Sequence, residues 1–234
     1  MKFNIRTEIY PLLLILLPYT YLPFVWNRMP EELPVHWDIN NNADRMVDKS
    51  AAWAIPLIIS GGIYALLWLI AWVDPKQRLQ EMASKFHQLK LMMVASFTLL
   101  IFLILYNAAR NEIADGSTWI MMFQGILFAV LGNFFQSLKP NYFIGIRTPW
   151  TLEFEWIWRK THKVFGWVWI IGGLAILALP FLLPDTAQGI SGTFTLVVLV
   201  GMPYLYSFIL WKCGNKKAKG HIGKNSSDLN NNML

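Results

Sequence analysis

The sequence predicts an all-α polytopic membrane protein. Six transmembrane helices are expected, with both termini cytoplasmic, a small extracytoplasmic hairpin and an interfacial cytoplasmic helix. Two observations carry this prediction: six long apolar stretches, at 7–27, 52–73, 88–106, 117–136, 165–183 and 191–211, and a sharp alternation in the Lys and Arg content of the loops between them. At about 1.5 Å per residue each stretch covers a hydrocarbon core of ~30 Å. Lipid offers no partner for an open strand edge, so uncharged runs of this length read as helices. Composition agrees, since 55% hydrophobic and 15% charged residues, with 12 Trp and 15 Phe, is too apolar for an ordinary soluble domain.

The charges orient the bundle. Lys2 and Arg6 precede the first span, and Lys76, Arg78, Lys85 and Lys90 separate the second from the third. Lys139, Arg147, Arg159, Lys160 and Lys163 lie between the fourth and fifth, and Lys212, Lys216, Lys217, Lys219 and Lys224 follow the sixth. Sixteen of the 20 basic residues therefore fall on one side, leaving Arg28, Arg45, Lys49 and Arg110 on the other. By the positive-inside rule the rich side is cytoplasmic. The net charge of +6 belongs to this asymmetry and to anionic lipid, not to nucleic acid.

The elements follow in chain order. Residues 1–74 hold the first two spans and an extracytoplasmic module at 28–50. The first span reads as a retained signal anchor, because it is longer than a typical h-region and no small-residue cleavage site precedes Asn27 and Arg28. Pro11, Pro18 and Pro23 should make it irregular, as Pro203 should kink the sixth. Residues 75–116 hold the third span. In 117–211, Gly125, Ala129 and Gly132 recur on one face of the fourth span, and Gly61, Ala65 and Gly172-Gly173 offer similar surfaces, so close packing within the chain is expected. Polar groups near or within the spans are Tyr106, Asn107, Gln124 and Asn133, which read as interhelical glue. No ionisable residue occupies the middle of a span, which argues against a pump or proton-driven carrier. The tail at 212–234 lacks an apolar period and reads as disordered, and the lone Cys213 can form no intrachain disulfide.

In the outer loop, alternation from Val35 to Asn40 predicts a short strand, with Val35, Trp37 and Ile39 on one face and His36, Asp38 and Asn40 on the other. The Asn run beyond supplies a turn. Trp37 is the expected apolar anchor and the polar row the expected sensing face. His36 and Asp38 alone make a poor metal site, so no metal or other cofactor is assigned.

The inner loop at 137–163 is denser. Lys139-Pro140-Asn141 forms a break, Gly145 permits a tight bend, and Thr148 before Pro149 reads as an N-cap followed by a first helical residue. The interfacial helix should then run through Trp150, Thr151 and Glu153 into the fifth span, with Glu155 paired to Arg159. A guanidinium fork from Arg147 to Glu153 and nearby carbonyls is expected, and His162 beside Lys160 and Lys163 reads as an interfacial cation.

The run from Lys139 through Pro140, Asn141, Tyr142, Gly145, Arg147, Thr148, Pro149, Trp150 and Thr151 to Leu152, continued by Trp158-Arg159-Lys160-Thr161-His162, resembles the signature of the SdpI family of bacterial membrane immunity proteins. Leu33-Pro34-Val35-His36-Trp37-Asp38-Ile39-Asn40, with Asp44 and Lys49 beyond, resembles the small extracytoplasmic module that often precedes it. That family commonly has Gly after the turn Asn, where this chain has Asn41. The resemblance implies a six-helix, non-enzymatic protein of the bacterial cell membrane. It implies protection from a secreted toxic peptide and capture of a cytoplasmic repressor at the membrane. The competing readings are a facilitator or small-molecule transporter, and a membrane enzyme using His36, Asp38 or His162. The last is disfavoured because those residues are assigned to opposite sides of the membrane.

The topology is open to test with the chain's own thiol. Cys213 should resist a membrane-impermeant maleimide in intact cells and react after lysis, whereas Asn41→Cys in a Cys213→Ser background should label from outside. Labelling of Cys213 in sealed cells would reverse the orientation.

Overall fold

The computed structural model describes residues 5–38, 43–74, 78–110 and 116–231, with side chains described except at 37, 78, 116–117, 185–186 and 215–231. Lys2 and Lys76, and the side chains of Arg78, Lys216, Lys217, Lys219 and Lys224, all counted in the orientation, lie outside this set. Among the described residues, five helices are long and apolar enough to cross a membrane, and a sixth apolar helix at Leu57–Val73 is shorter. The architecture is all-α and polytopic, with one small hairpin.

Helix α1 (Ile5–Val25) remains one helix through its three prolines. Its buried residues, Glu8, Pro11, Ile15, Pro18, Leu22 and Val25, recur at alternating steps of three and four and form a single stripe. Two of the three prolines lie on it, so backbone left without a donor there faces protein instead of lipid. That stripe packs chiefly on α4 (Ala83–Arg110). Between them the chain forms β1 (Glu32–Trp37) and β2 (Ala43–Asp48), an antiparallel pair with Leu33 opposite Val47.

The second apolar stretch departs from expectation. Its first residues join a 3₁₀ turn at Lys49–Trp53, a π turn follows at Leu57–Gly61, and only then does α2 (Gly62–Val73) begin. The helical part from Leu57 is about 26 Å long by its rise, so the second span is shorter than the 52–73 segment read from hydropathy. Residues 49–53 are used instead to seat the hairpin: Asp48 accepts from the Ser50 amide at 2.8 Å, and Ala52 is fully buried.

A short α3 (Arg78–Glu81) precedes α4. The second half of the chain comprises α5 (Gly116–Phe135), α6 (Pro149–Glu153), α7 (Glu155–Leu182) and α8 (Asp185–Asn231). The small-residue stripe packs within the chain, as expected. A Cβ on Gly125 would lie 2.6 Å from the Gly173 carbonyl oxygen, and one on Gly132 2.6 Å from that of Gly166, so α5 and α7 touch backbone to backbone. Pro203 lies within α8 without ending it. The helical backbone continues to Asn231 through the segment read as a disordered tail, which contains no proline to stop it.

Two apolar clusters mark the two ends of the bundle. One joins Leu22, Val25, Met29, Leu33, Ala52, Leu105 and Ala108, at the hairpin end. The other joins Leu79, Met82, Phe86, Leu138, Ile146 and Trp158, at the inner-loop end. Leu13, Leu17, Trp72, Ile171 and Phe181 are exposed along the sides, as lipid-facing residues should be.

Lys90 requires a correction. Counted as a loop cation, it is 1% exposed inside α4, and its Nζ donates to both carboxylate oxygens of Glu8 at 2.6 Å. The Tyr64 hydroxyl donates to Glu8 Oε2 at 2.9 Å and accepts from Trp68 Nε1 at 3.1 Å, and His87 Nδ1 lies 3.4 Å from Glu8 Oε1. The Lys90 ammonium lies 5.3 Å from the centroids of both the Tyr64 and Trp68 rings. The pair clamps α1, α2 and α4 together.

A buried pair is costly to break and cheap to replace. Lys90→Met alone should strand the Glu8 carboxylate and destabilise the protein by about 3–5 kcal/mol, seen as lost membrane abundance and a lower unfolding midpoint. Glu8→Gln with Lys90→Met keeps an acceptor for Tyr64 and should recover most of the loss. Equal defects in the single and double variants would contradict the clamp.

Candidate functional site

The inner loop begins where α5 stops. Asn141, 2% exposed, organises its first turn: the side-chain oxygen accepts from the Phe143 and Ile144 amides at 2.9 and 2.7 Å, and Nδ2 donates to the Lys139 and Ile144 carbonyls at 3.0 Å each. One side chain thus replaces a missing secondary structure. Gly145 follows with φ of 110°, the left-handed region that favours glycine, and a Cβ there would lie 2.5 Å from His162 Nε2.

That bend lays the backbone on α7. The Ile146 amide donates to His162 Nε2 at 2.9 Å, while His162 Nδ1 lies 2.9 Å from the Trp158 carbonyl. An acceptor at Nε2 and a carbonyl at Nδ1 together require the neutral ring with its proton on Nδ1. Trp158, fully buried, stacks on the imidazole at 4.0 Å and donates from Nε1 to the Leu138 carbonyl at 2.8 Å. The reading of His162 as an interfacial cation is therefore corrected: it is 1% exposed and holds the loop as an acceptor.

The cap expected at Thr148 is present. Its hydroxyl oxygen accepts from the Thr151 amide at 3.2 Å, Thr151 Oγ1 accepts from the Thr148 amide at 2.8 Å, and Pro149 opens α6. Thr151 Oγ1 also donates to the Ile146 carbonyl at 2.9 Å. The helix does not run on into the fifth span as expected. Phe154 is extended (φ −113°, ψ 105°), and α7 starts afresh at Glu155. This break points Trp150 at α8, where Nε1 donates to Ser207 Oγ at 2.8 Å and the ring packs on Phe208 and Trp211.

Arg147 also differs from expectation. Its Nη1 donates to the Tyr142 carbonyl at 2.6 Å, so the fork reaches backbone and not Glu153. Glu153 lies at the far end of α6, whereas the Asn141 turn brings Tyr142 back within reach. The Glu155–Arg159 pair forms as expected, with Nε and Nη2 at 3.0 and 2.7 Å from Oε1, and Lys160 is exposed. Pro140 is half-buried behind Lys139.

At the other end, β1 begins three residues before the expected strand because Leu33, fully buried, fixes it to the α1–α4 cluster. The polar row is rearranged accordingly. His36 Nδ1 pairs across the hairpin with Asp44 Oδ1 at 2.6 Å, Pro34 is buried, and Asp38 lies just beyond β1. The Trp37 side chain, assigned as the anchor, and Asn40 with the turn at Asn41 lie outside the described residues. Lys49 Nζ lies 3.4 Å from Glu31 Oε1 and 5.0 Å from the Trp26 ring centroid, and its amide donates to the Glu31 carbonyl at 2.8 Å. Hydrogen bonds from the Ser50 side chain and amide hold the Asp48 carboxyl below the usual carboxylate range.

Sequence reasoning missed Met82, whose sulfur accepts from the Lys139 amide at 3.2 Å, and Ser207, Trp150's partner. Ser207 carried a usable signal, a hydroxyl in an otherwise apolar stretch. Met82 carried none.

A helical polytopic membrane protein with a capped, internally bonded loop at one end and an anchored hairpin at the other is the class these features define. Residues 137–210 match the SdpI/YfhL protein family, and residues 13–59 match a domain of unknown function, DUF1648. The chain is 25% identical over 181 residues to Immunity protein SdpI of Bacillus subtilis (strain 168), covering 75% of this chain and 82% of that relative. No solved structure matches.

Gly145→Ala should force the loop off His162 while leaving insertion intact. In inverted membrane vesicles trypsin should then cut at Arg147 at least about tenfold faster, as expected when a local opening costs some 1.4 kcal/mol less. Unchanged cleavage would show that the Gly145 bend does not hold the loop.

Proposed function

We propose that this protein is a non-enzymatic immunity protein of the bacterial cytoplasmic membrane, protecting its cell from a secreted toxic peptide. The observation that carries the reading is the similarity to an immunity protein across 75% of the chain. In this reading the hairpin faces outward, where the exposed His36 and Asp44 meet the peptide and the buried Lys49 holds the hairpin's base. The inner loop faces the cytoplasm, and its exposed Tyr142, Arg147 and Lys160 hold a repressor at the membrane.

What supports a surface of this kind is how much of the inner loop is committed to its own structure. Asn141, Thr148, Thr151, Trp158 and His162 are all buried and bonded within the loop or to the helices beside it. Exposed side chains on so fixed a backbone lose little freedom on binding a partner. Leu33 plays the corresponding role outside.

The test is competition between cells. A strain lacking the gene should lose viability beside its toxin-producing parent and regain it from a plasmid copy. An Arg147→Lys copy should reach the same membrane abundance, because charge and topology signal persist, and yet protect less, because the planar donors are gone. Equal survival of deleted and parental cells would contradict the immunity reading.

A further inference from the structure

A cleft of about 420 Å³ opens between the chain leaving α5 and the first turns of α7, beside the inner loop. Its walls carry Lys139, Arg159 and Lys163 against a single carboxylate, Glu155. That carboxylate is occupied: Arg159 gives it Nε and Nη2, which fixes the guanidinium plane. The Lys163 ammonium has no ion pair or hydrogen bond among the described residues, and the Lys139 ammonium has only a long contact to Glu81 at 3.9 Å. His162, which also lines the cleft, spends both ring nitrogens on backbone and adds no charge. Gln136 and Ser137 add uncharged polar groups, and the cations outnumber the one carboxylate, so the cleft favours an anion.

Size and surroundings narrow the class. The cavity exceeds what a bare inorganic anion fills, leaving room for an organic group on the phosphate. Lys163 lies on an α7 stripe with Trp156, Lys160 and Trp167, at steps of four, three and four. Both tryptophans are about half exposed, at 47% and 55%. Tryptophan interleaved with lysine at the end of a membrane helix marks the headgroup layer.

We propose that this cleft binds a phosphate-bearing anion, with an anionic phospholipid headgroup as its source. Lys139 and Lys163 close on the phosphate oxygens from two sides while Arg159 lines the wall between them. The bound headgroup would tie the end of α5 to the start of α7, the two strands of chain on which the inner loop rests. The proposal stands apart from the immunity reading and does not require it.

The test uses the purified full-length protein in neutral detergent. Unfolding midpoints are followed against added phosphatidylglycerol, phosphatidylcholine or glycerol phosphate. Phosphatidylglycerol should raise the midpoint saturably, and the concentration giving half the shift should rise at least about tenfold in Lys139→Gln/Lys163→Gln. Lys160→Gln removes a neighbouring cation outside the cleft and should leave the response intact. The unliganded midpoint of each variant reports folding separately. An equal response to glycerol phosphate, lost in the same double variant, would support the phosphate site and assign it a soluble source. No response, a response the double variant keeps, or one lost equally in Lys160→Gln would overturn the proposal. So would displacement of the headgroup by an acidic peptide that binds the double variant as well as the parent, since the surface would then belong to a protein partner.

Discussion

The inner end of the structure depends on one imidazole accepting a hydrogen bond from one backbone amide. His162 projects from α7 with Nδ1 tied to the Trp158 carbonyl, which leaves Nε2 for Ile146. Everything else in the loop adjusts to that contact. Gly145 is needed because a Cβ would strike the ring, and Asn141 must close its own turn because the bend removes regular partners. Thr151 shares its hydroxyl between the α6 cap and the Ile146 carbonyl, so the same residue is gripped from both sides. Trp158 covers the imidazole and reaches back to Leu138, joining the start of the loop to its end. The result is a backbone held at several hydrogen-bonded points and anchored by Leu138, Ile146 and Trp158 in the inner cluster, which suits a surface that must keep its shape in contact with water and headgroups.

The two ends are linked by α4. Its first turns supply Phe86 and Leu89 to the inner cluster, and its last turns supply Ile101, Leu105 and Ala108 to the outer one. Near the inner end Lys90 is locked to Glu8 on α1, whose other end supplies Leu22 and Val25 to the hairpin cluster. A displacement at Leu33 therefore acts on two helices that are cross-bolted beneath it. The second half of the chain is fastened differently, by glycine-to-backbone contact between α5 and α7, which leaves little room for sliding.

The fold was legible because its signals are cumulative. Twenty apolar residues in a row, or four cations in one loop, survive any single exception, and so did the glycine stripe on α5. The cap at Thr148-Pro149 and the bend at Gly145 were readable because each rests on local backbone chemistry. What failed to show were features that need a partner from elsewhere. Glu8 and Lys90 are 82 residues apart, and each alone reads as an interfacial charge. His162 next to Lys160 and Lys163 looks cationic until Ile146 is placed against it. Arg147 has a carboxylate six residues away and a carbonyl five residues back, and sequence offers no means of choosing between them. The start of the first strand differs for a similar reason: alternation along the chain points to Val35, whereas Leu33 and the bundle beneath it decide where the strand begins.

The protonation and tautomer of His162 test the account most directly, and nitrogen NMR of the labelled protein in lipid at neutral pH reports both. Comparison with His162→Gln assigns its signal among the four histidines. The loop geometry predicts a neutral ring protonated at Nδ1, with Nε2 shifted as a hydrogen-bond acceptor. A charged ring, or a proton on Nε2, would mean that Ile146 is not bound there and that the inner loop is not built around this contact.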